Sequence, residues 1–243
     1  MISKRLQMLV DMVTPGMRVV DVGCDHGFVA IQLVRNHISP SVIAMDVRKG
    51  PLTGAREHVE EYGLADYIET RLSDGLCEYH SGEADAMVCA GMGGPLMMRI
   101  LTEGAEKVAS MKELILQPQS ELQEFRRFLR TNGYQTLEEH ILLEEEKFYF
   151  LFRVVLRSAS EADIKEDENC ILYDKFGKLL LQKKDPMLKR YLEKNLKTVE
   201  QIIAGLAGKA SLKGQQRMAE LLGEKEDLQR ALIFLEADYH VAQ

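Results

Sequence analysis

A few acids and glycines, gathered at turns, are the residues of this 243-residue chain best suited to chemistry. The run Val19-Val20-Asp21-Val22-Gly23-Cys24-Asp25-His26-Gly27 follows a Pro15-Gly16 turn. It reads as a short strand ending in an acid, then a Gly-x-x-x-Gly turn that opens a helix. Gly23 and Gly27 carry no Cβ, so a ligand can approach the backbone there. A phosphate-binding turn would read Gly-x-Gly-x-x-Gly. Here the middle glycine is missing, and Asp21 and Asp25 would repel a pyrophosphate. Two acids at such a turn suit a cationic or hydroxyl-rich ligand. S-adenosylmethionine has a sulfonium, an ammonium and a ribose but no phosphate, and so meets that description.

Two further acids follow the same logic. Asp46, with Val47 beside it, closes the apolar run 41–47, where a carboxylate accepts hydrogen bonds from ribose hydroxyls in nucleoside-binding α/β folds. Asp74-Gly75 comes at the end of a third strand pattern, where an acid can accept from an adenine amino group. Each aspartate alone could cap a helix or shape a turn. Three successive strand ends that each carry an acid resemble the class I methyltransferases. The fourth strand runs into Cys89-Ala90-Gly91-Met92-Gly93-Gly94-Pro95. In those enzymes this loop lies beside the transferred methyl, and base methylases often carry Asn/Asp-Pro-Pro-aromatic there. Gly91, Met92, Gly93 and Gly94 offer no acid, base or aromatic ring, so backbone groups must contact the acceptor, with Ala90 on the cofactor side. A hinge before a helix is the other reading of these glycines.

The remaining candidates have structural readings beside functional ones. His26, at a helix N-terminus, reads as structural or cofactor-facing more readily than as a general base. Cys24 and Cys89 read as small apolar residues of the pocket wall. Phe148-Tyr149-Phe150-Leu151-Phe152 reads as a stacking platform or, by its alternation, as core.

The elements that must position these residues alternate between strand and helix. Residues 18–22, 41–47, 84–90 and 113–118 are short apolar runs suited to strands buried on both faces of a parallel sheet, and 67–73 make a more amphipathic strand. Helices are expected over about 27–37, 51–62, 93–109 and 121–132, the last capped by Ser120 and closed by Asn132-Gly133. Residues 134–143 and 148–157 read as an antiparallel pair joined by the acidic turn Glu144–Lys147. This is the pattern of a doubly wound, Rossmann-like α/β domain.

The polar, acidic stretch 158–169 marks a boundary, giving domains 1–158 and 159–243. Beyond it no strand pattern remains. Leu188, Leu192, Leu196, Val199, Ile202, Ile203 and Leu206 form one helical apolar stripe. Met218, Leu221, Leu222, Leu228, Leu232 and Leu235 form a second, so a coiled-coil-like helical hairpin turning through Gly208–Gly214 is expected. Net charge is -7, which excludes a basic nucleic-acid coat for the whole chain. Yet residues 175–217 hold 11 basic side chains, Lys183, Lys184, Lys189 and Arg190 among them, against three acids. The four cysteines are scattered without a Cys-x-x-Cys pair, which points to a reducing cytoplasm and to no structural metal. No apolar run approaches the roughly 20 residues of a membrane span, and the N-terminus lacks a signal-peptide core.

Ser3-Lys4-Arg5-Leu6, Asp21 to Gly27, Ala90 to Gly94 and Gln117-Pro118 together resemble the bacterial tRNA adenine-N1 methyltransferases that modify adenosine 22. The resemblance covers the whole chain. It implies a methyltransferase domain, S-adenosylmethionine as donor, a coiled-coil domain that helps hold tRNA, and adenine N1 of nucleotide 22 as target. It also implies substrate-facing roles for Arg5, Gln117 and Pro118, besides the phosphate contacts expected of the basic tail. A monomer is the expected state. Two alternatives stay open: a class I methyltransferase acting on another RNA or a small molecule, and a catalytically silent RNA-binding scaffold on the same fold. Retention of all three strand-end acids speaks against the scaffold, and the basic tail speaks against a small acceptor.

Overall fold

The computed structural model describes residues 2–157, 169–206 and 212–237. The chain divides into two compact units, 1–165 and 166–243. The boundary expected at 158/159 lies outside the described residues.

The first unit is a seven-stranded sheet. Its strands are β1 (Val19–Val22), β2 (Val42–Asp46), β3 (Ile68–Leu72), β4 (Ala86–Met92), β5 (Glu113–Pro118), β6 (Tyr134–Glu144) and β7 (Lys147–Leu156). They lie in the order β3-β2-β1-β4-β5-β7-β6. The first five are parallel, and β7 and β6 run antiparallel at the end. β1 and β5 are buried along their whole length, which is why they are mostly apolar, with Asp21, Glu113 and Gln117 as their buried polar residues. The sheet is flanked by α1 (Lys4–Asp11), α2 (Phe28–Arg35), α3 (Lys49–Glu61), α4 (Gly94–Glu103), α5 (Ala105–Val108) and α6 (Leu122–Thr131). The β6–β7 turn places Glu145 and Glu146 at φ of 47° and 61°, the paired left-handed geometry that suits a two-residue hairpin.

Two expectations need correction here. The helix expected over 93–109 is two helices that meet at Gly104, where a Cβ would sit 2.6 Å from Leu76 Cδ1 and 2.9 Å from the Ile100 carbonyl. Ser120 does not cap α6, whose N-cap is Glu121 with no side-chain hydrogen bond. The Ser120 hydroxyl instead accepts from the Gly94 N–H at the start of α4, 3.3 Å away. Of the two readings of the aromatic run of β7, core holds for Phe150 and Phe152, while Tyr149 is half-buried.

The second unit is helical among its described residues: α7 (Cys170–Phe176), α8 (Lys178–Gln182), α9 (Pro186–Leu206) and α10 (Leu212–Glu236). Lys189 meets Glu236 at 3.2 Å and Lys225 meets Glu200 at 2.9 Å, so α9 and α10 run antiparallel. Their seam is Leu188, Leu192 and Val199 against Leu221, Leu228, Ala231 and Leu235. Ile202 and Leu222, expected in that stripe, are exposed, at 40% and 46%. Gly214 lies inside α10 rather than in the turn. The pair α7–α8, broken at Gly177 with φ of 91°, had no clear periodicity to announce it.

Candidate active site

A cavity of about 620 Å³ opens at the C-terminal edge of the sheet, beside β1 and β4. That is where strand order reverses direction, the usual ligand crevice of open α/β sheets. Its wall gathers most of the residues singled out from sequence: Asp21, Gly23, Cys24, Asp25 and His26 after β1, Asp46 and Val47 after β2, Asp74 and Gly75 after β3, and Ala90, Gly91 and Met92 from β4. Arg5 reaches the same wall from α1.

Each acid has a different environment. Asp21 is 3% exposed, and its Oδ2 is buried with no hydrogen-bond partner. Burial, then the neighbouring Asp46 carboxylate, pushes its pKa up to about 7. Asp46 is 4% exposed but well served, accepting from the Arg48 N–H at 2.8 Å and the Asp25 N–H at 3.2 Å. Asp25 holds φ of 51°, a left-handed conformation that aspartate tolerates better than most residues, and faces Arg48 at 3.5 Å. Asp74 is ion-paired to Arg99 at 3.0 Å.

Other expected residues fall behind the wall or away from it. Gly27 is the left-handed N-cap of α2, and a Cβ there would meet Ala55 Cβ at 3.1 Å, so its role is close packing of helix on helix. Gly93 and Gly94 form the start of α4. Gln117 and Pro118 are buried in β5, and neither is among the residues of the cavity wall. Lys183, Lys184, Lys189 and Arg190 are exposed in the second unit, where Lys189 is paired with Glu236 and Lys184 donates to the Ala237 carbonyl at 2.6 Å. The wall also includes Phe28, Arg48, Leu96 and Gln119, which sequence reasoning missed. Their only signal was a position one or two residues beyond the motifs.

A methyltransferase-domain family model matches residues 2–152. The tRNA (adenine(22)-N(1))-methyltransferase of Bacillus subtilis is 30% identical over 233 residues, 96% of this chain and 97% of that protein. The chain belongs to the tRNA (adenine(22)-N1)-methyltransferase family. Solved relatives of this methyltransferase agree in fold over both units. The B. subtilis M1A22 tRNA methyltransferase TrmK has a TM-score of 0.82 at 29% identity, covering 96% of this chain and 99% of that one. Streptococcus pneumoniae Sp1610, solved in complex with S-adenosyl-L-methionine, has a TM-score of 0.83 at 30% identity, covering 96% and 100%.

The wall residues of this methyltransferase fit such a ligand. The cavity volume lies within the range of small-molecule sites. The buried Asp21 oxygen has no protein partner and is the acceptor that a cation would satisfy. Four carboxylates outnumber two arginines around the wall, the opposite of a phosphate site. Among the described residues no group of three His, Cys, Asp or Glu could hold a metal ion, and no helix is long and apolar enough to cross a membrane.

Proposed function

We propose that the protein transfers a methyl group from S-adenosylmethionine to N1 of adenosine 22 in tRNA. The observation that carries this reading is the full-length match to the B. subtilis enzyme, which takes in the helical unit as well as the methyltransferase domain. Action on tRNA accords with a cytoplasmic location.

When bound, S-adenosylmethionine supplies a methyl group on a sulfonium, open to in-line attack by a neutral nitrogen lone pair. The protein's own task is to bind, orient and desolvate. Asp46 would accept from the ribose hydroxyls, its backbone donors already holding the carboxylate in place. Asp21 would face the cationic end, and Asp74 and Gly75 the adenine. Gly91 and Met92 would wall the acceptor side, with Gly93 and Gly94 fixing where α4 begins. Adenine N1 has a free lone pair, so no side chain needs to remove a proton before transfer. Cys24 and Cys89 would stay as neutral thiols: burial pushes Cys89 up to about 12 and raises Cys24 well above its ordinary value. A paired or stacked target base must be extruded, at a cost of a few kcal/mol offset by pocket contacts.

Residues 159–243 would serve as the tRNA-holding domain, with Lys183, Lys184, Lys189 and Arg190 on phosphates. Incubation with unmodified tRNA and labelled donor, then nucleoside mass spectrometry, should yield 1-methyladenosine, and a transcript with guanosine at position 22 should yield none. Methylation that persists on the guanosine transcript would overturn the assigned position. Reversing the four tail cations to Glu should weaken tRNA binding and flatten its salt dependence while donor binding is kept.

A further inference from the structure

Gln117 sits where the regular pairing of the sheet fails. Opposite it, β4 carries a bulge: Ala90 pairs with Gln117 and Met92 with Pro118, so Gly91, at φ of 80°, is the extra residue. A bulge leaves its extra residue without a ladder partner. Here the Gly91 N–H donates to the Gln117 side-chain Oε1 at 3.2 Å. The same oxygen accepts from Arg5 Nη1 at 3.0 Å. Arg5 in turn lies with its guanidinium 5.4 Å from the centre of the Tyr149 ring and lines the cavity. The other end of the carboxamide is also committed, its Nε2 donating to the Pro118 carbonyl at 3.1 Å. The side chain is 0% exposed, so it can neither rotate freely nor meet a substrate.

We infer that Gln117 is a positioning residue rather than a substrate contact: one buried oxygen ties the bulged acceptor-side strand end at Gly91 to Arg5 of the first helix, setting both against the cavity. This goes beyond the functional reading above and rests on it only for the turnover assay. The chemistry demands such a residue. Gly91-Met92-Gly93-Gly94 has no side chain that could hold its own backbone, and a glycine in a bulge is free to move unless something outside the strand fixes it. A misplacement near 1 Å at the reacting centre costs about 100-fold in rate.

Four variants and three readouts test this. Gln117→Leu removes the shared acceptor; Gln117→Glu keeps an acceptor for both donors, loses the donor to the Pro118 carbonyl and adds a negative charge beside the Arg5 guanidinium. Amide hydrogen exchange at Gly91, measured in the ligand-free protein, should be about 10-fold or more faster in Gln117→Leu and near wild type in Gln117→Glu. Turnover on tRNA should fall by about 10-fold to 100-fold in Gln117→Leu, with donor affinity within about threefold of wild type, and recover largely in Gln117→Glu. Adding Arg5→Met to Gln117→Leu should cost less than the product of the two single losses, because both break one network. Unchanged Gly91 exchange in Gln117→Leu overturns the inference whatever the acceptor proves to be. Equal losses of turnover and donor affinity overturn it too, since they would make Gln117 a support for the whole fold. A wild-type enzyme that ignores tRNA would instead sink the functional reading, and the exchange measurement would still decide the role of Gln117.

Discussion

Two buried carboxylates in the same sheet are treated in opposite ways. Glu139 of β6, 2% exposed, meets Arg126 of α6 at 2.7 Å, and that guanidinium lies over the rings of Phe150 and Phe152. Asp21 of β1, 3% exposed, has a like charge for its neighbour and one oxygen with no partner at all. The first belongs to a buried ion pair of opposite charges that holds α6 on the sheet. The second is an unfinished one, facing a cavity. A fold of this size can tolerate the cost of such a group, and under the function proposed above its missing counterion would come from a ligand.

The largest effect that sharpens this contrast is expected at the Arg126–Glu139 pair. Arg126→Ala strands a buried glutamate and should cost about 3–5 kcal/mol of stability, read from denaturant midpoints with an unchanged slope. A loss below about 1 kcal/mol would mean that the pair is dispensable and the contrast false.

Asp21→Asn should do the reverse. The folded state retains a proton on Asp21, with its pKa near 7, that the unfolded chain releases near pH 4. Ligand-free stability therefore falls as pH rises from about 4 to about 7, and the asparagine variant should gain a few kcal/mol relative to wild type at pH 8. Its donor affinity should drop at least about 10-fold, since the acceptor for the cation is gone. In wild type, donor affinity should climb with pH up to about 7 and then level, because binding favours the ionised carboxylate; a flat calorimetric profile would remove Asp21 from the site.

The smallest effect belongs to a third kind of acid. Asp85 bonds to Arg18 at 3.0 Å and to Lys112 at 3.2 Å near the surface, and the Arg18 hydrogen bonds hold its carboxyl well below the usual range. Its contribution is present above about pH 4 and is lost as pH falls, the opposite slope to Asp21. Asp85→Asn should cost no more than about 1 kcal/mol at pH 7 in thermal melts.

The alternation of apolar runs and the three strand-end acids made the sheet and the cavity legible, because both follow from which residues must be buried and which must not. Contacts made between distant segments were not legible. Ser120 had the right type and place to cap its own helix, yet it serves α4, since Gly94 approaches within 3.3 Å from another part of the chain. Arg48 and Phe28 became wall residues only because α2 and α3 converge on β1 and β2. Gln117 carried no local signal of its task, as its donors come from 26 residues upstream at Gly91 and 112 upstream at Arg5. The basic count of the tail was visible in the sequence, but not that Lys189 and Lys225 would be spent across the hairpin on Glu236 and Glu200.

The order of the strands also has a consequence for solubility. The sheet is open, so β3 and β6 are its edge strands, each with one side that has no ladder partner among the described residues. β3 is five residues long and carries Glu69 and Arg71. β6 is longer, but it is broken by a register shift between Thr136 and Glu138 and carries Glu138 and Glu144 on its less buried positions. Shortness guards one edge, and charge with a bulge guards the other, so neither margin is a ready template for edge-to-edge growth.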